Sequence, residues 1–286
     1  MVGPGVSLTD AQWARIEPIL PDRTPRRGGR WRDHRQLIDA IAFKYRTGTP
    51  WMDLPKRHGS WKGVYNRLRK WAADGTWEKV FTTLLAQADT DGDLDWVVAV
   101  DSTVVRAHQH AAGARQKGVP AGEPDHHAIG RSRGGLTTKI HLAADSRCRP
   151  LAFVLTPGQS GDAPAFEHVM AGIRVPRPLG RPRTTPDVVL ADKAYSSRAI
   201  RTHLRRRGIR AVIPQPADQT ANRKRLGNRG GRPPAFDRAA YKQRNTVERC
   251  INKLKQWRGL ATRYDKTATI YLAALHVAAI FIWSAG

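Results

Sequence analysis

The chain has 286 residues, enough for a sizeable buried core, and 40% of them are hydrophobic, so a wholly disordered protein is excluded. Lysine and arginine number 49 against 24 aspartate and glutamate, which gives a formal net charge of +25. Because so large an excess of one sign repels itself, it predicts a polyanionic partner, most commonly nucleic acid, with a ribosomal or merely basic protein as the alternative.

The N-terminal segment carries helix-start signals around a basic strip. Thr9 followed by Gln12 is a capping-box pattern that predicts a first helix, and Asp33 followed by Gln36 predicts a second. Residues 1–20 contain charged side chains and no continuous apolar run, which argues against a secretory signal peptide. The strip between the two helices contains Arg26, Arg27, Arg30, Arg32 and Arg35.

A third helix is predicted over residues 50–59 and a fifth over 77–88, and the fourth, after Ser60, has two distinct faces. Its apolar stripe has the i, i+4, i+7 spacing of a core-facing helix and contains Val64, Leu68 and Trp71. Its opposite, polar stripe contains Lys62, Asn66 and Arg69. We therefore predict an all-α, helix-turn-helix-like DNA-binding domain over residues 1–88 and an acidic linker over 89–95. Asn66 and Arg69 would read base edges, while Lys62 and the basic strip would hold phosphates.

After the linker the pattern becomes strand-like, with short runs of branched apolar residues bounded by turn signals. Strands are predicted over 96–100, 136–142, 151–155, 188–191 and 209–213, and helices alternate with the later ones. The second and third strands read as an antiparallel hairpin, so the domain over 96–286 is predicted to be α/β with a mixed sheet. Residues 201–238 are rich in Lys and Arg, and glycines and prolines predict a loop over 214–238. A charge run of this kind is usually a solvated face, but here it favours a DNA backbone path.

The last apolar stretch, residues 270–283, is too short to span a bilayer and contains His276, so it predicts a core helix. Cys148 and Cys250 have neither metal-ligand nor disulfide-framework spacing, so we expect structural thiols in a reducing interior. These features together predict a cytoplasmic protein without a membrane segment.

Three acids stand out as candidate ligands. Asp101 and Asp192 each follow an apolar strand, at the end where α/β sheets bind ligands, although a turn aspartate or a helix cap is the alternative for either. Glu248 lies in a helix predicted over 239–257 and shares one face with Tyr241, Arg244 and Lys255. That face suits a phosphate bound beside a metal, and its alternative is a solvated helix with an Arg–Glu pair.

At these residues the sequence resembles insertion-sequence DDE transposases. Tyr241, Arg244, Glu248 and Lys255 match the signature Y-x2-R-x3-E-x6-K. Residues 100–108 resemble the first-aspartate block, 129–141 the glycine-rich block and 191–195 the second-aspartate block. Residues 8–77 resemble the small helical DNA-binding domain of the same enzymes. Ser196 departs from the pattern, because relatives often have an acid there, and this puts a contact beside the metal ligands in doubt.

The resemblance implies an RNase H-like core in which Asp101, Asp192 and Glu248 hold two Mg²⁺ ions, with Mn²⁺ as a substitute. Arg244 and Lys255 would clamp phosphates, Tyr241 would orient one, and Lys193 would lie near the DNA at the site. The implied function is a bacterial, nucleoid-associated transposase that acts on double-stranded DNA as a homodimer or larger assembly. A catalytically silent DNA-binding repressor and a metal-dependent nuclease that does not transpose are the alternatives.

Four histidines flank the glycine-rich segment and raise the question of zinc: His108, His110, His126 and His127. Without spaced cysteines or a carboxylate partner, they are more typical of loop histidines near DNA than of a zinc site.

Overall fold

The computed structural model describes residues 7–24, 31–114 and 122–285, so Arg26, Arg27 and Arg30 of the basic strip lie outside the described residues. The helices are α1 (Asp10–Ile16), α2 (His34–Thr47), α3 (Trp61–Ala73), α4 (Thr76–Thr90), α5 (Gln109–Ala112), α6 (Asp162–Gly172), α7 (Arg198–Arg206), α8 (Ala217–Arg225), α9 (Arg238–Tyr241), α10 (Asn245–Lys255), α11 (Arg258–Ala261) and α12 (Ala268–Ser284). The strands are β1 (Val97–Ala107), β2 (Gly130–Ser132), β3 (Gly135–Ala144), β4 (Pro150–Pro157), β5 (Val188–Ala191), β6 (Arg210–Val212) and β7 (Thr262–Arg263).

The first two helices begin at the predicted caps. Thr9 forms a complete capping box at the start of α1, and the Asp33 carboxylate accepts a hydrogen bond from the backbone N–H of Gln36 at the start of α2. Gly48 ends α2 in the left-handed conformation (φ 75°), which glycine adopts without strain. The predicted third helix is instead a pair of 3-10 turns, each starting after a proline, because a proline ring cannot continue a longer helix.

The two faces of α3 are separated as predicted, although Ser60 makes no side-chain cap. Val64, Leu68 and Trp71 are at most 1% exposed. Lys62, Asn66 and Arg69 are exposed. The polar stripe is therefore free to contact a partner.

The sheet is mixed, with β1 at its centre. β1 is antiparallel to β3 and parallel to β5; β4 pairs antiparallel with β3, and β6 pairs parallel with β5. The resulting order is β4–β3–β1–β5–β6, which confirms the predicted α/β domain with a mixed sheet. β2 adds to the edge of β3, and β7 pairs with the end of β1.

β1 is longer than predicted, because it continues through Asp101 to Ala107 and stays paired with β3 along that length. Asp101 is therefore inside a strand and not at its end, which corrects the sequence interpretation. The parallel partner β5 does end at Ala191, so the pairing of β1 on that side stops just before Asp101.

The N-terminal helices and the sheet share one hydrophobic core. α12 packs against α3 and α4 and also against β4. Its Leu275 and Trp283 are 0% and 1% exposed, and the Trp283 indole N–H donates to the Pro150 carbonyl at 2.7 Å. Arg15 of α1 donates to the Trp283 carbonyl at 3.1 Å. The predicted division near residue 88 is thus a change of sequence pattern within a continuous core.

The predicted acidic linker over 89–95 is ordered and packed. α4 continues to Thr90, and the Trp96 indole N–H donates to the Asp89 carboxylate at 2.7 Å. Asp93 forms ion pairs with Arg147 and Arg149. These contacts join the acidic residues to the sheet, so the segment is not a free linker.

The predicted loop over 214–238 contains the helix α8 and a 3-10 turn, Gly227–Gly230. The expectation that glycine and proline prevent a regular helix here was wrong, because the first glycine of the segment, Gly227, comes only after α8 has ended. Within the described residues, the structure has no helix long and apolar enough to cross a bilayer.

Candidate active site

Asp101 and Asp192 lie side by side on neighbouring parallel strands. The register pairs Val100 with Ala191, and these two aspartates are the next residues along β1 and β5. Adjacent strands are about 4.8 Å apart, so the register places the two backbones at contact distance. Asp192 also caps the turn Lys193–Tyr195 by accepting the Ala194 N–H at 2.7 Å, so the cap proposed as the alternative is present as well.

Arg244 joins the third acid to the first. Its guanidinium donates to Asp101 Oδ2 at 2.7 Å and to Glu248 Oε1 at 2.8 Å. The helix predicted over 239–257 is broken into α9, the 3-10 turn Lys242–Arg244 and α10. This tighter turn ends at Arg244, next to the start of α10, where the side chain reaches both carboxylates. The structure thus brings Asp101, Asp192, Arg244 and Glu248 into one site.

The electrostatics of the site are those of acids crowded around one cation. Burial, with the nearby charges of Asp192 and Glu248, raises the pKa of Asp101, and the Ser102 N–H and Arg244 oppose that rise only in part. Burial disfavours the charge of Arg244, but Asp101 and Glu248 outweigh it and raise the pKa of the guanidinium. A further cation at this place would be held by the same carboxylates that now hold Arg244.

The other predicted site residues are more accessible. Tyr241 is half-buried, its ring 5.3 Å from that of Phe236, and its pKa is raised by burial. Lys255 and Lys193 are exposed. Lys193 directly follows Asp192, and Lys255 ends α10. Each of these lysines is therefore free to meet a phosphate, but neither is fixed by the protein.

A polar network that the sequence interpretation missed supports Asp101 from behind. The Ser102 hydroxyl donates to Asp162 Oδ1 at 2.7 Å, and the Lys139 ammonium donates to the same oxygen at 2.9 Å. Burial alone would raise the pKa of Asp162, but these hydrogen bonds hold it below its usual range. Lys139 lies in the glycine-rich block, and nothing in the sequence indicates which acid its side chain would meet.

Two more buried groups line this network. His141 accepts or donates a hydrogen bond with the Thr156 hydroxyl at 2.8 Å, and burial lowers the pKa of His141 to about 4, so the ring is neutral at pH 7. Burial, together with the carboxylates of Asp162 and Asp101, raises the pKa of Tyr195, which therefore remains protonated. The only full charges in the network are those of Asp162 and Lys139.

The acids offer only oxygen ligands, which is the donor set that Mg²⁺ and Mn²⁺ prefer. Among the described residues, no three histidine, cysteine, aspartate or glutamate side chains form a ready-made metal cluster. Arg244 occupies the position between Asp101 and Glu248 and supplies the positive charge there. The chemistry of the donors fits a divalent cation, and Arg244 would compete with that cation for Asp101.

The four histidines that flank the glycine-rich segment have different surroundings. His127 is buried and pairs with Glu123 at 2.9 Å, and Glu123 also accepts from the N-terminal backbone of α12 at Thr269. The interpretation of His127 as a DNA-facing loop residue was therefore wrong, because its ring is packed against a helix-capping carboxylate. His108 and His110 follow β1 in the sequence, and their rings meet edge to face with a centroid distance of 4.7 Å.

The basic segment forms one wall of a cleft of about 940 Å³, called here the arginine cleft. Its charged lining consists of Arg201, Arg205, Arg210 and Arg232. Arg201 is anchored by a 2.8 Å hydrogen bond to the Ile213 carbonyl, and Arg210 pairs with the exposed Asp237. The cleft is built from α7, β6 and the segment after α8, so it adjoins β5, the strand that ends just before Asp192.

Two family models match the chain. Residues 92–283 match the transposase DDE domain, and residues 8–81 match a model for candidate transposases of the IS4/5 family. The first match covers more than half of the chain and contains Asp101, Asp192 and Glu248.

Curated relatives are similar to parts of the chain. The chain is 39% identical, over 38% of its own length and 83% of the relative, to the uncharacterized protein y4sN of Sinorhizobium fredii. It is 33% identical, over 52% of its length and 98% of the relative, to a candidate transposase for insertion sequence element IS6501 from Brucella ovis. A solved Mos1 transposase paired-end complex aligns over 83% of both chains at 15% identity, with a TM-score of 0.25, which is too low to support an inference.

Proposed function

The chain belongs to the family of transposases with a DDE domain, and on that premise we propose that it binds the terminal inverted repeats of an insertion sequence and hydrolyses the phosphodiester at each end. It then joins the freed 3′-hydroxyl to target DNA. The observation that carries the proposal is the meeting of three acids from elements far apart in sequence: Asp101 and Glu248 share Arg244, and Asp192 lies beside Asp101 on the neighbouring strand.

Asp101, Asp192 and Glu248 would hold two Mg²⁺ ions, for which Mn²⁺ would substitute. When bound, such ions lower the pKa of a water or a 3′-hydroxyl and stabilise the leaving oxygen of an in-line displacement. Hydrolysis and strand transfer are the same displacement with different nucleophiles, so one set of acids serves both steps.

Arg244 would change partners during the reaction. In the structure its guanidinium donates one hydrogen bond to Asp101 and one to Glu248. A guanidinium can grip a phosphate with the same two-pronged geometry, so a bound phosphodiester offers it an equivalent partner. Lys255 and Lys193 would add point charges along the same phosphates, and Tyr241 would orient one of them. Asp162 and Lys139 keep Ser102, and through its N–H bond Asp101, in position.

The DNA would pass over two charged surfaces. The arginine cleft offers guanidinium groups beside β6, and their phosphate contacts would hold any sequence equally. The exposed stripe of α3, Lys62, Asn66 and Arg69, combines a phosphate-binding ammonium with side chains that can form paired hydrogen bonds to base edges. We assign recognition of the terminal repeat to this stripe and, because an element has two ends, propose that the chain acts as a homodimer or larger assembly on DNA.

Cleavage of DNA that carries both ends of the encoding element tests the proposal. With Mg²⁺, wild-type protein should cut and join these ends, whereas Asp101→Asn, Asp192→Asn and Glu248→Gln should each lose cleavage. All three variants should keep DNA affinity, measured by gel shift in Ca²⁺, because the acids hold metal and not DNA. Asp91→Asn, at the exposed residue that follows α4, and Glu78→Gln, at an exposed position of α4, are the matched controls.

The outcomes separate the alternatives. Cutting without joining would identify a nuclease, and binding with neither would identify a repressor. Near-normal cutting by any one of the three acid variants would remove that residue from the proposed site.

A further inference from the structure

A second pocket, of about 460 Å³, lies where the N-terminal helices meet the far end of β1. We call it the aromatic pocket. The lining used below consists of Lys44, Trp51, Tyr65, His108, Tyr264 and Asp265. Its walls come from α2, the turn after it, α3, the residue after β1 and the segment after β7. At about 3.3 Å per residue of strand, His108 lies roughly 20 Å from Asp101, so this pocket is separate from the acids.

Lys44 is the unusual member of the pocket. It is only 3% exposed, and its pKa is lowered by burial. Among the residues that the structure describes, none gives its ammonium a hydrogen bond or an ion pair. The ammonium instead faces rings, 4.3 Å from the centroid of Tyr45 and 5.5 Å from that of Trp51. The favourable energy of cation–π contacts is smaller than the cost of burying a charge. The N–H groups of the Lys44 ammonium therefore remain available to donate hydrogen bonds to a ligand.

Asp265 provides the complementary acceptor. It is 7% exposed and accepts the Tyr45 hydroxyl at 3.1 Å, which leaves most of its lone pairs unused. Its negative charge beside Lys44 disfavours a phosphate in the pocket. The combination of a donor, an acceptor and aromatic walls suits a flat aromatic molecule with both kinds of polar edge, which is the chemistry of a nucleobase.

The pocket is continuous with the surface assigned to DNA. Tyr65 lines the pocket and lies on α3 between Lys62 and Asn66, and the Arg69 guanidinium is 5.8 Å from the Tyr65 ring. On the outer side, Tyr264 is 38% exposed, and its ring packs against that of His108 with a centroid distance of 4.8 Å and a tilt of 34°. A DNA strand that lies along α3 would therefore pass the opening of the aromatic pocket.

We propose that the aromatic pocket binds one unpaired nucleobase of the DNA strand that lies along α3. The proposal rests on the proposed DNA-binding function. The base stacks among Trp51, Tyr65 and Tyr264 and receives a hydrogen bond from Lys44. Because the pocket is remote from Asp101, the captured base is not the nucleotide being cut, and its capture holds the end in place during cutting.

The test compares two single-stranded oligonucleotides of equal length, one of mixed sequence and one built only of abasic sites, so that phosphate charge is the same. Affinities of the full-length protein are measured by fluorescence anisotropy. Wild type should prefer the strand with bases by roughly tenfold, the scale of one base stacked on aromatic side chains. Lys44→Met, which keeps the shape of the side chain, and Tyr264→Leu should remove most of that preference and leave abasic affinity unchanged.

Lys56→Met, at an exposed lysine of the neighbouring turn, is the control and should keep the preference. Thermal melting identifies any misfolded variant, and Tyr264→Leu carries the test if Lys44→Met unfolds, because Tyr264 is on the surface. An unchanged preference in the folded variants would refute base capture. Equal weakening of both strands by Lys44→Met would show a phosphate site instead. If the wild-type protein binds the two oligonucleotides with equal affinity, base capture is refuted and the proposed DNA binding stands. If it binds neither oligonucleotide, the proposed DNA binding is refuted as well.

Discussion

Arg244 occupies the place where a metal-loaded site would carry its positive charge, so its removal should tighten metal binding. In the structure, Asp101 Oδ2 accepts a 2.7 Å hydrogen bond from Arg244, so the guanidinium competes with a metal for this carboxylate. The variant Arg244→Gln keeps a polar but shorter side chain and removes the competing charge. Metal binding in the absence of DNA then no longer has to displace a bound guanidinium.

The size of the effect follows from the two hydrogen bonds. Arg244 and Asp101 have side chains that are 19% and 18% exposed, so their bond counts as a charge-assisted one of about 1.5–3 kcal/mol. Glu248 is 48% exposed, and its bond to Arg244 therefore contributes no more than a surface pair, about 0.2–1 kcal/mol. Breaking the first bond alone corresponds to roughly a ten- to hundredfold change in affinity, since about 1.4 kcal/mol is tenfold.

The assay is a titration of metal-free protein with Mn²⁺, followed by electron paramagnetic resonance of the unbound ion. It is done at pH 8, where even a carboxyl with a raised pKa, such as Asp101, is ionised. Arg244→Gln should bind Mn²⁺ roughly ten to a hundred times more tightly than wild type. Arg249→Gln, an exposed arginine on the same helix, should match wild type. Equal or weaker binding by Arg244→Gln would refute the idea that Arg244 competes with metal.

Three further predictions address the surrounding structure. Asp162→Asn should slow single-turnover cleavage of pre-bound DNA, because Ser102 loses a charged acceptor; an unchanged rate would show that the network only stabilises the fold. Leu275→Ala should destabilise the whole chain by about 2–5 kcal/mol in one cooperative transition seen by circular dichroism and tryptophan fluorescence, whereas two transitions would indicate separate cores. Lys62→Ala should weaken binding to all DNA and lower the salt slope by about one, while Asn66→Ala should cost about 1–3 kcal/mol on terminal DNA only; anisotropy over a salt series distinguishes these results from equal losses on every DNA.

The parts of the fold that local chemistry determines could be predicted from the sequence. The caps at Thr9 and Asp33 satisfy backbone groups within three residues, so the signal and its effect lie together. The strand at Val188–Ala191 is a continuous apolar run and has the predicted bounds. Lengths were less predictable. β1 extends beyond its apolar residues because pairing with β3 satisfies its backbone hydrogen bonds as far as Arg106. No local sequence pattern indicates that β3 is the partner strand.

The candidate site could likewise be predicted only in part. The motif predicts which residues gather, but it contains no information on which of them hold each other before DNA arrives. Arg244 was expected to face phosphate, and in the structure it holds Asp101 and Glu248, because unpaired carboxylates at close range attract the nearest cation.

Lys44 presents the opposite case. In sequence it is an ordinary lysine of an amphipathic helix, and its isolation becomes visible only when Tyr264 and Asp265, brought in by the chain after β7, close around it. A buried cation with no partner is costly, and a fold retains such a group only where something else repays the cost. At Arg244 the carboxylates repay it within the protein. At Lys44 the described residues form no hydrogen bond to the ammonium and only the nearby charge of Asp265 opposes the cost, and this difference makes the aromatic pocket, rather than the more highly charged arginine cleft, the place where we expect a specific contact with a base.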